Sequence, residues 1–354
     1  MLKNKFSKIS SIIKDAKRGK IFILVDDKNR ENEGDLVIPG SKCNSKNINF
    51  MAKHGRGLIC LALTKKQIDN LKLPLMSPVN KSRMQTAFTI SIEAKKGITT
   101  GISTQDRART IKTAINPNSK KNDIVSPGHV FPLVARNGGV LERAGHTEAS
   151  VDISKLANLN PSSVICEVMN EDGRMARLHD LFKFSKKHNI KLASIEDLIS
   201  YRLKYEKLIN RSSHKIIKLN KSSILNVYHY KNKLENNVNF AISKGKLNKK
   251  KSIPVRVLSY KIKKKNVLNN TKVKKSLKYL SRFKSFLLLV INNNNEKKDN
   301  DIYTLRYYGI GAQIIKDLKV KNMILISRSK KKIIGLEGFG IKIKKQIIIK
   351  WKEF

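Results

Sequence analysis

Residues 21–35 are Ile21-Phe22-Ile23-Leu24-Val25-Asp26-Asp27-Lys28-Asn29-Arg30-Glu31-Asn32-Glu33-Gly34-Asp35. The apolar start of this stretch predicts a buried strand. The residues that follow it, 26–35, we call the acidic loop; they contain five carboxylates, one arginine and one lysine. Carboxylates this close together repel one another unless a cation or a basic group lies among them. Loops fixed by a rigid strand commonly carry functional residues.

The acidic loop has two interpretations. The first is a solvated polar turn, which accounts for most acidic clusters and is favoured by composition alone. The second is a site for a divalent metal and a polyol, because hard carboxylate oxygens suit Mg²⁺ or Mn²⁺. The choice between them depends on the rest of the sequence.

Two further segments favour the metal site. One is Gly138-Gly139-Val140-Leu141-Glu142-Arg143-Ala144-Gly145-His146-Thr147-Glu148. It joins glycines, which permit close backbone approach, to an arginine suited to a phosphate, a histidine and a hydroxyl. The other is Pro127-Gly128-His129-Val130-Phe131-Pro132.

Together these segments resemble the 3,4-dihydroxy-2-butanone 4-phosphate synthase family of riboflavin biosynthesis. That family is marked by D-D-x-x-R-E-N-E-G-D, P-G-H-V-F-P and R-x-G-H-T-E, and all of these motifs occur here in that order. The resemblance covers residues 1–205 and favours the metal site.

The resemblance implies a lyase that converts D-ribulose 5-phosphate to 3,4-dihydroxy-2-butanone 4-phosphate and formate. Such chemistry needs a Lewis acid to stabilise enediolate charge, together with groups that move protons. The implied cofactor is a pair of Mg²⁺ or Mn²⁺ ions, with no zinc and no organic cofactor. The resemblance also implies a homodimer with its sites near the subunit interface.

The resemblance assigns roles to particular residues. Glu31 and His146 would be the metal ligands, and His129, Glu167 and Asp35 would be the catalytic acid–base groups. The substrate would contact Arg30, Glu31, Asp35, Arg143, Ala144, Gly145, His146, Thr147 and Glu167. A buried carboxylate such as Glu167, inside the apolar run 164–168, must also be paired, coordinated or protonated on physical grounds.

The periodicity of residues 1–205 predicts an α+β fold in which helices surround a mixed sheet. Strands are expected at residues 20–25, 57–63, 88–92, 130–136 and 163–169, and helices at 6–16, 47–54, 148–156, 176–188 and 195–205. A helix begins near Ser103 or Thr104, where a phosphate site and an ordinary exposed helix start are equally compatible with the sequence.

The second half resembles GTP cyclohydrolase II, through residues 255–259, 306–315 and 334–341. We expect residues 206–220 to form a linker and residues 221–354 a smaller, degenerate α/β domain of that type. The cyclohydrolase family holds zinc with three cysteines after its R-V-x-S segment, but this chain has no cysteine beyond Cys166. A tetrahedral zinc site cannot form without such ligands, so we expect no cyclohydrolase activity.

The formal net charge is +47, distributed as +17 over residues 1–205 (36 basic, 19 acidic) and +30 over residues 206–354 (38 basic, 8 acidic). Lysine and asparagine runs among many isoleucines are typical of an AT-rich coding bias. We therefore expect nucleic acid to bind only nonspecifically at low salt. A polyanion-binding role for the basic second half, and a bifunctional enzyme with residual cyclohydrolase activity, are the alternative functions.

The three cysteines, Cys43, Cys60 and Cys166, are odd in number and widely spaced. They form no metal or disulfide pattern, which favours a reducing compartment. The first twenty residues lack a signal-length apolar stretch, and no apolar run is long enough to span a bilayer. We therefore expect a cytoplasmic protein that is not in a membrane.

Overall fold

The computed structural model describes residues 5–28, 30–81, 83–220, 223–233, 237–248, 251–262, 267–293, 301–329 and 339–349. The chain divides into two compact units, Met1–Ile199 and Ser200–Phe354. Among the described residues, none of the helices has the length and apolar character needed to cross a bilayer.

The first unit contains a seven-stranded sheet with the order β4-β5-β3-β6-β2-β1-β7. Its strands are β1 Phe22–Val25, β2 Gly34–Pro39, β3 Cys60–Thr64, β4 Ile92–Ala94, β5 Ile124–Ala135, β6 Ser162–Glu167 and β7 Lys191–Ser194. β1 pairs antiparallel with β2 and parallel with β7. β3 pairs parallel with β5 and antiparallel with β6. The predicted mixed sheet is therefore confirmed.

Helices cover this sheet. They are α1 Ile9–Lys17, α2 Ser45–Phe50, α3 Lys65–Asn70, α4 Thr104–Ala114, α5 His146–Leu156 and α6 Leu178–His188, and a π-helical turn, Met51–Gly55, continues α2. The division between the two units falls within α7, Ile195–Tyr205. Every residue of β1 and β2 is buried, as expected for strands covered on both faces. α5 packs on β1, β2, β3, β5 and β6, and its residues 146–154 are all buried.

The acidic loop lies in a β-hairpin. Val25 at the end of β1 pairs with Gly34 at the start of β2, so most of the loop connects neighbouring antiparallel strands. The sequence did not predict β2 or β7. The strand expected at residues 88–92 is largely absent, because only Ile92–Ala94 joins the ladder and Phe88 forms an isolated bridge with Leu133.

The second unit contains another seven-stranded sheet, with the order β14-β13-β11-β12-β10-β9-β8. Its strands are β8 Ile209–Asn220, β9 Ser223–Asn232, β10 Val238–Lys244, β11 Ser252–Tyr260, β12 Phe286–Asn292, β13 Asn322–Ser327 and β14 Lys342–Ile348. Its helices are α8 Thr271–Leu280 and α9 Asp301–Asp317. β8 to β10 form an antiparallel meander, whereas β11 to β14 pair in parallel.

The sequence-based linker, residues 206–220, needs correction. Most of it is β8, which pairs with β9 along its length and forms one edge of the second sheet. The error has a physical cause, because an edge strand is held by backbone hydrogen bonds and its side chains stay in water. From residue 210 to residue 218, only Ser213 and Ile217 are even half-buried. Of the cyclohydrolase-like segment 334–341, residues 334–338 lie outside the described residues.

Candidate active site

Asp26 organises the acidic loop. Its carboxylate accepts hydrogen bonds from Arg30 Nη1 at 2.8 Å and from the backbone amides of Glu31 at 3.1 Å and Glu33 at 2.9 Å. The side chain of Asp26 is fully buried. A buried carboxylate that accepts this many hydrogen bonds fixes the path of the loop. Arg30 also contacts the carboxylate of Glu31, so the loop supplies its own cation.

The side chains of Glu31 and Asp35, from the acidic loop, meet the side chain of His146 at the start of α5. Nδ1 of His146 lies 3.7 Å from Glu31 Oε2 and 3.8 Å from Asp35 Oδ1. Burial would raise the pKa of Glu31, but His146 and Arg30 lower it to about 2. Burial would lower the pKa of His146, but Asp35 and Glu31 raise it to about 9. Without a metal, the histidine is therefore a cation held between carboxylates.

Asp35 and Glu167 lie opposite each other on neighbouring strands. Asp35 on β2 pairs in register with Glu167 at the end of β6. The pKa of Asp35 is raised to about 7. Burial is the largest cause of the rise, which nearby His146 opposes and the charges of Glu167 and Glu31 increase. A carboxyl group with such a pKa can exchange a proton near neutral pH.

Glu167 is held by the chain that precedes β3. Its Oε2 accepts a hydrogen bond from the backbone amide of Leu58 at 2.9 Å. A Cβ atom on Gly57 would lie 2.6 Å from the same oxygen. Only glycine therefore lets the backbone approach this carboxylate so closely.

The described residues fit a divalent metal. Ligand atoms of Asp26, Glu31 and His146 lie within 4.8 Å of one another. Nε2 of His146 is buried and has no hydrogen-bond partner among the described residues. Two carboxylates beside an imidazole are ligands that Mg²⁺ and especially Mn²⁺ accept, and metal binding would displace the imidazole proton.

Two guanidinium groups flank the start of α5. A Cβ atom on Gly145 would lie 2.3 Å from Arg143 Nη1 and 3.1 Å from Arg30 Nη2. Arg143 is held in place by Glu148 Oε2 at 2.6 Å, Thr86 Oγ1 at 2.8 Å and the carbonyl of Met84. Gly145 is also the N-cap residue of α5. Arginine side chains beside a helix N-terminus suit a phosphate group.

The remaining residues of the R-x-G-H-T-E segment form the buried wall of this region. Ala144 and Thr147 are both buried, as is His146 between them. Their burial follows from the position of α5, whose first turn lies under the sheet strands.

His129 lies apart from this group. Its Nδ1 contacts the carboxylate of Glu93 on β4, and its side chain is 45% exposed. Among the described residues, no hydrogen bond or ion pair joins His129 to Glu31, Asp35 or His146. The register of the sheet nevertheless relates His129 to Glu167, since β3 pairs with both β5 and β6. If the pairing is continued two residues before Cys60, Leu58 lies between His129 on one side and Glu167 on the other. The backbones of His129 and Glu167 are then two strand spacings apart, about 10 Å.

The start of α4 is a well-formed cap. Ser103 Oγ accepts a hydrogen bond from the amide of Asp106, as the sequence predicted. Asp106 in turn accepts from Thr99 Oγ1 at 2.7 Å and from the amide of Gly101. These bonds satisfy the loop internally, so the geometry favours neither interpretation of this helix start.

Sequence reasoning gave no role to Asp26, Glu148 or Glu93. Asp26 was visible as the first carboxylate after the strand, but its function depends on amides later in the loop. Glu148 and Glu93 position Arg143 and His129, respectively. Glu148 is only five residues after Arg143, whereas Glu93 is 36 residues from His129.

Known proteins are similar to this chain in sequence and in fold. The family model described as 3,4-dihydroxy-2-butanone 4-phosphate synthase matches residues 10–201, and the model described as GTP cyclohydrolase II matches residues 288–348. The riboflavin biosynthesis protein RibBA of Aquifex aeolicus is 42% identical, over 98% of this chain and 93% of its own. The 3,4-dihydroxy-2-butanone 4-phosphate synthase of Photobacterium phosphoreum is 42% identical, over 95% and 98%.

Solved structures agree. RibBX, a two-domain 3,4-dihydroxy-2-butanone 4-phosphate synthase from A. baumannii, has a TM-score of 0.81 and 36% identity, covering 97% of this chain and 99% of its own. A synthase in complex with two magnesium ions has a TM-score of 0.54 and 36% identity, covering 56% of this chain and 98% of its own.

These likenesses define an enzyme of riboflavin biosynthesis with a mixed-sheet first domain. The chain belongs to the 3,4-dihydroxy-2-butanone 4-phosphate synthase family. A GTP cyclohydrolase II-like region follows the synthase domain. The resemblance inferred from the motifs is therefore confirmed, and so is the α+β fold class.

Proposed function

We propose that this chain is a metal-dependent lyase that converts D-ribulose 5-phosphate to 3,4-dihydroxy-2-butanone 4-phosphate and formate in the cytoplasm. The observation that carries the proposal is the cluster of Glu31, Asp26 and His146, with Asp35 and Glu167 paired beside it. The products together contain all the atoms of the substrate, so the reaction needs no redox partner.

In this proposal, Glu31 and His146 hold the metal pair. When bound, Mg²⁺ or Mn²⁺ supplies Lewis-acid stabilisation of the negative charge on neighbouring substrate oxygens. Asp26 has a positioning role instead, because its oxygens already accept hydrogen bonds from Arg30 and from two backbone amides. It keeps Glu31 pointed at His146.

The proton transfers fall to the carboxyl groups and His129. Asp35 takes the first proton from a substrate carbon, since its pKa of about 7 lets it alternate between the two protonation states. Glu167, opposite Asp35, handles a later proton on the same side of the sheet. His129 completes the acid–base set, with Glu93 fixing which imidazole nitrogen faces the substrate.

The walls of the site orient the substrate. Arg143 and Thr147 lie near the phosphate, and Arg30 contacts the sugar oxygens. Ala144 and Gly145 leave room for the substrate backbone, because a larger residue at position 145 would displace both guanidinium groups. The phosphate is held at a distance from the reacting carbons, so it orients the substrate without taking part in the reaction.

The direct test is formate release from ribulose 5-phosphate with added Mg²⁺, with Mn²⁺ and with EDTA. The Glu31→Gln variant should lose activity with either metal, because an amide cannot replace a carboxylate ligand. The matched control is Glu171→Gln, which changes a carboxylate that is 82% exposed. Metal-independent formate release, or full activity in Glu31→Gln, would contradict the proposal.

The number and kind of ions are tested separately. Calorimetric titration of EDTA-treated protein with Mn²⁺ should show two ions per chain in the presence of a substrate analogue. A related synthase was solved in complex with two magnesium ions. Zn²⁺ should not support turnover. A single site that Glu31→Gln leaves unchanged would contradict the assignment of ligands.

We propose further that the second unit lacks GTP cyclohydrolase activity. The sequence has no cysteine after Cys166, so the thiolate ligands for a catalytic zinc are missing. Incubation with GTP and Zn²⁺ should leave the GTP intact at protein concentrations that consume ribulose 5-phosphate. Turnover of GTP would favour the bifunctional alternative.

A further inference from the structure

Two histidines that have no role in the lyase site lie side by side on the first unit. His54 belongs to the π-helical turn Met51–Gly55, and His188 is the last residue of α6. Their ring centres are 4.8 Å apart, and their ring planes are inclined by 52°. Both residues are half-buried, so solvent and ions reach the two imidazoles. We call these residues the histidine pair.

Two phenylalanines position the histidine pair. The ring of Phe50 lies 4.8 Å from that of His54 and 5.2 Å from that of His188, and Phe184 lies 4.4 Å from His188. Both phenylalanines pack against the hydrophobic core of the unit. Each precedes its histidine by four residues, a spacing that puts two side chains on one face of a helical segment. Packing therefore fixes the imidazoles before any ligand arrives.

The ring nitrogens of the pair are available to a ligand. Among the residues that the structure describes, neither imidazole has a hydrogen-bond partner. Burial lowers the pKa of His54, and three nearby cations lower it further: Lys53, Arg56 and Lys187. Burial, His54 and Lys187 lower the pKa of His188 as well. Both rings are therefore neutral at neutral pH, and a neutral imidazole has a nitrogen lone pair that a metal can accept.

The separation of the rings fits two ligands of one metal ion. A metal–nitrogen bond of about 2.0–2.1 Å puts the ion about 3.2 Å from the centre of an imidazole ring. Two such rings at a bond angle of about 90–110° have centres about 4.5–5.2 Å apart. The observed 4.8 Å lies within this interval. Rotation of the rings, rather than movement of the backbone, is then enough to bring two nitrogens onto one ion.

The charges around the pair restrict the kind of ion. Lys53 and Lys187 are exposed neighbours of the two histidines in the chain, and Arg56 lies 3.5 Å from the carboxylate of Glu171. These cations oppose the binding of any metal, so the ion must gain much from each nitrogen ligand. Among divalent ions of the first transition row, Cu²⁺ binds such ligands most tightly, whereas Mg²⁺ and Mn²⁺ prefer oxygen.

We propose that the histidine pair is a transition-metal site that binds Cu²⁺ most tightly and Ni²⁺ or Zn²⁺ less tightly. His54 and His188 each supply one nitrogen ligand, and water fills the remaining positions. The bound ion joins the end of α6 to the π-helical turn. The site shares no ligand with the lyase site, and it does not depend on the function proposed for that site.

The test is calorimetric titration of the EDTA-treated full chain with Cu²⁺, together with electron paramagnetic resonance of the bound ion. His54→Phe and His188→Phe each keep an aromatic ring in the packing but remove the nitrogen ligand. Each should weaken the binding of one Cu²⁺ ion at least about tenfold. The resonance of that ion should show coupling to two imidazole nitrogens in the wild type and should lose it in both variants. Copper bound at Glu31 and His146 would be the same in all of these proteins, so the difference reports on the pair alone.

The matched control is His179→Phe, which removes an exposed imidazole from the first turn of the same helix. Its affinity for Cu²⁺ should equal that of the wild type, and circular dichroism should show that every variant is folded. Equal Cu²⁺ binding by the wild type and His54→Phe would overturn the proposal. An equal loss in His179→Phe would also overturn it, because binding would then follow the number of histidines. Displacement of the ion by Mg²⁺ would overturn the assignment of nitrogen ligands.

Discussion

The side chain of Asp26 decides whether the acidic loop is a metal site or a solvated turn. Its carboxylate is fully buried and accepts from one guanidinium and two amides, which no solvated turn requires. These bonds leave Glu31 directed at His146. One buried carboxylate thus converts a string of repelling acids into a fixed arrangement.

Asp26→Asn tests this role. The amide keeps the shape but has one acceptor oxygen instead of two, so at least one donor of the loop loses its partner. We expect the free energy of unfolding to fall by about 1–3 kcal/mol, and formate release to fall with it. Asp69→Asn, at an exposed ion pair with Lys65, is the control and should unfold like the wild type. An unchanged urea midpoint for Asp26→Asn would show that the loop does not depend on this residue.

Glu93 is expected to position His129 rather than to touch the substrate. Glu93→Ala removes the contact to Nδ1 and should lower kcat about 10- to 100-fold with little change in KM, because a misaligned base transfers protons poorly. Glu93→Gln retains an acceptor for the same nitrogen and should recover part of the loss. A rise in KM at constant kcat would show instead that Glu93 serves substrate binding.

The contiguous residues of the site could be predicted from sequence. Each segment of neighbouring residues, such as Arg30 to Asp35, survives folding as a local group, and the family resemblance linked these segments to His146 and Glu167, which the sheet brings beside them. Their positioning partners could not be predicted, since nothing in a single sequence marks a pair such as Glu93 and His129. Such pairs arise from strand register, which is a property of the whole sheet.

β8 shows the limit of hydrophobic patterning. Apolar periodicity marks a strand only where one face is buried. β8 lies at a sheet edge with most of its side chains in water, so its sequence looked like a linker. Its partner β9 and helix α9 hold it through a polar cluster instead. Arg211 on β8 and Tyr230 on β9 both contact Asp317 on α9.

This cluster predicts a pH dependence in the second unit. Burial would raise the pKa of Asp317, but the Tyr230 hydroxyl and Arg211 lower it overall. A lowered pKa in the folded state means that the stabilisation is present above about pH 4 and is lost as the pH falls through the folded pKa. Asp317→Asn should therefore destabilise the unit at neutral pH, and this difference should shrink and then vanish as the pH falls through the lowered folded pKa of Asp317.

Hydrogen exchange of the β9 amides measures this prediction, since it reports on the second unit alone. Tyr230→Phe removes one of the bonds to the same carboxylate and should show a smaller difference with the same pH dependence. A destabilisation by Asp317→Asn that stays constant across the pH range would show that packing, rather than charge, holds β8 in place.

The position of His129 bears on the expected homodimer. His129 is half exposed and contacts Glu93, whose strand partner Val125 is an exposed apolar residue. Ile102 is 53% exposed, and it follows Gly101, which lies against the side chain of Glu93. We propose that a second copy covers this surface, so that each site takes His129 from the neighbouring copy.

Mixing two inactive variants tests the shared site. Asp35→Ala and His129→Ala should each be inactive alone. Dimers formed by co-expressing both would contain one complete site if His129 acts across the interface, which restores about a quarter of the wild-type activity under random pairing. If His129 acts within its own chain, no pairing has a complete site, and mixtures remain as inactive as the separate variants.

The β-hairpin that carries the acidic loop has a kinetic consequence. Asp26, Glu31 and Asp35 lie within ten residues and meet as soon as β1 and β2 pair, whereas His146 is 115 residues from Glu31 and arrives only when the sheet closes. Contacts between distant parts of a chain form late in folding. A metal ion that needs both Glu31 and His146 as ligands therefore cannot bind before the sheet has closed. We expect Mg²⁺ to leave the refolding rate almost unchanged and to slow unfolding, because the metal stabilises only the folded domain.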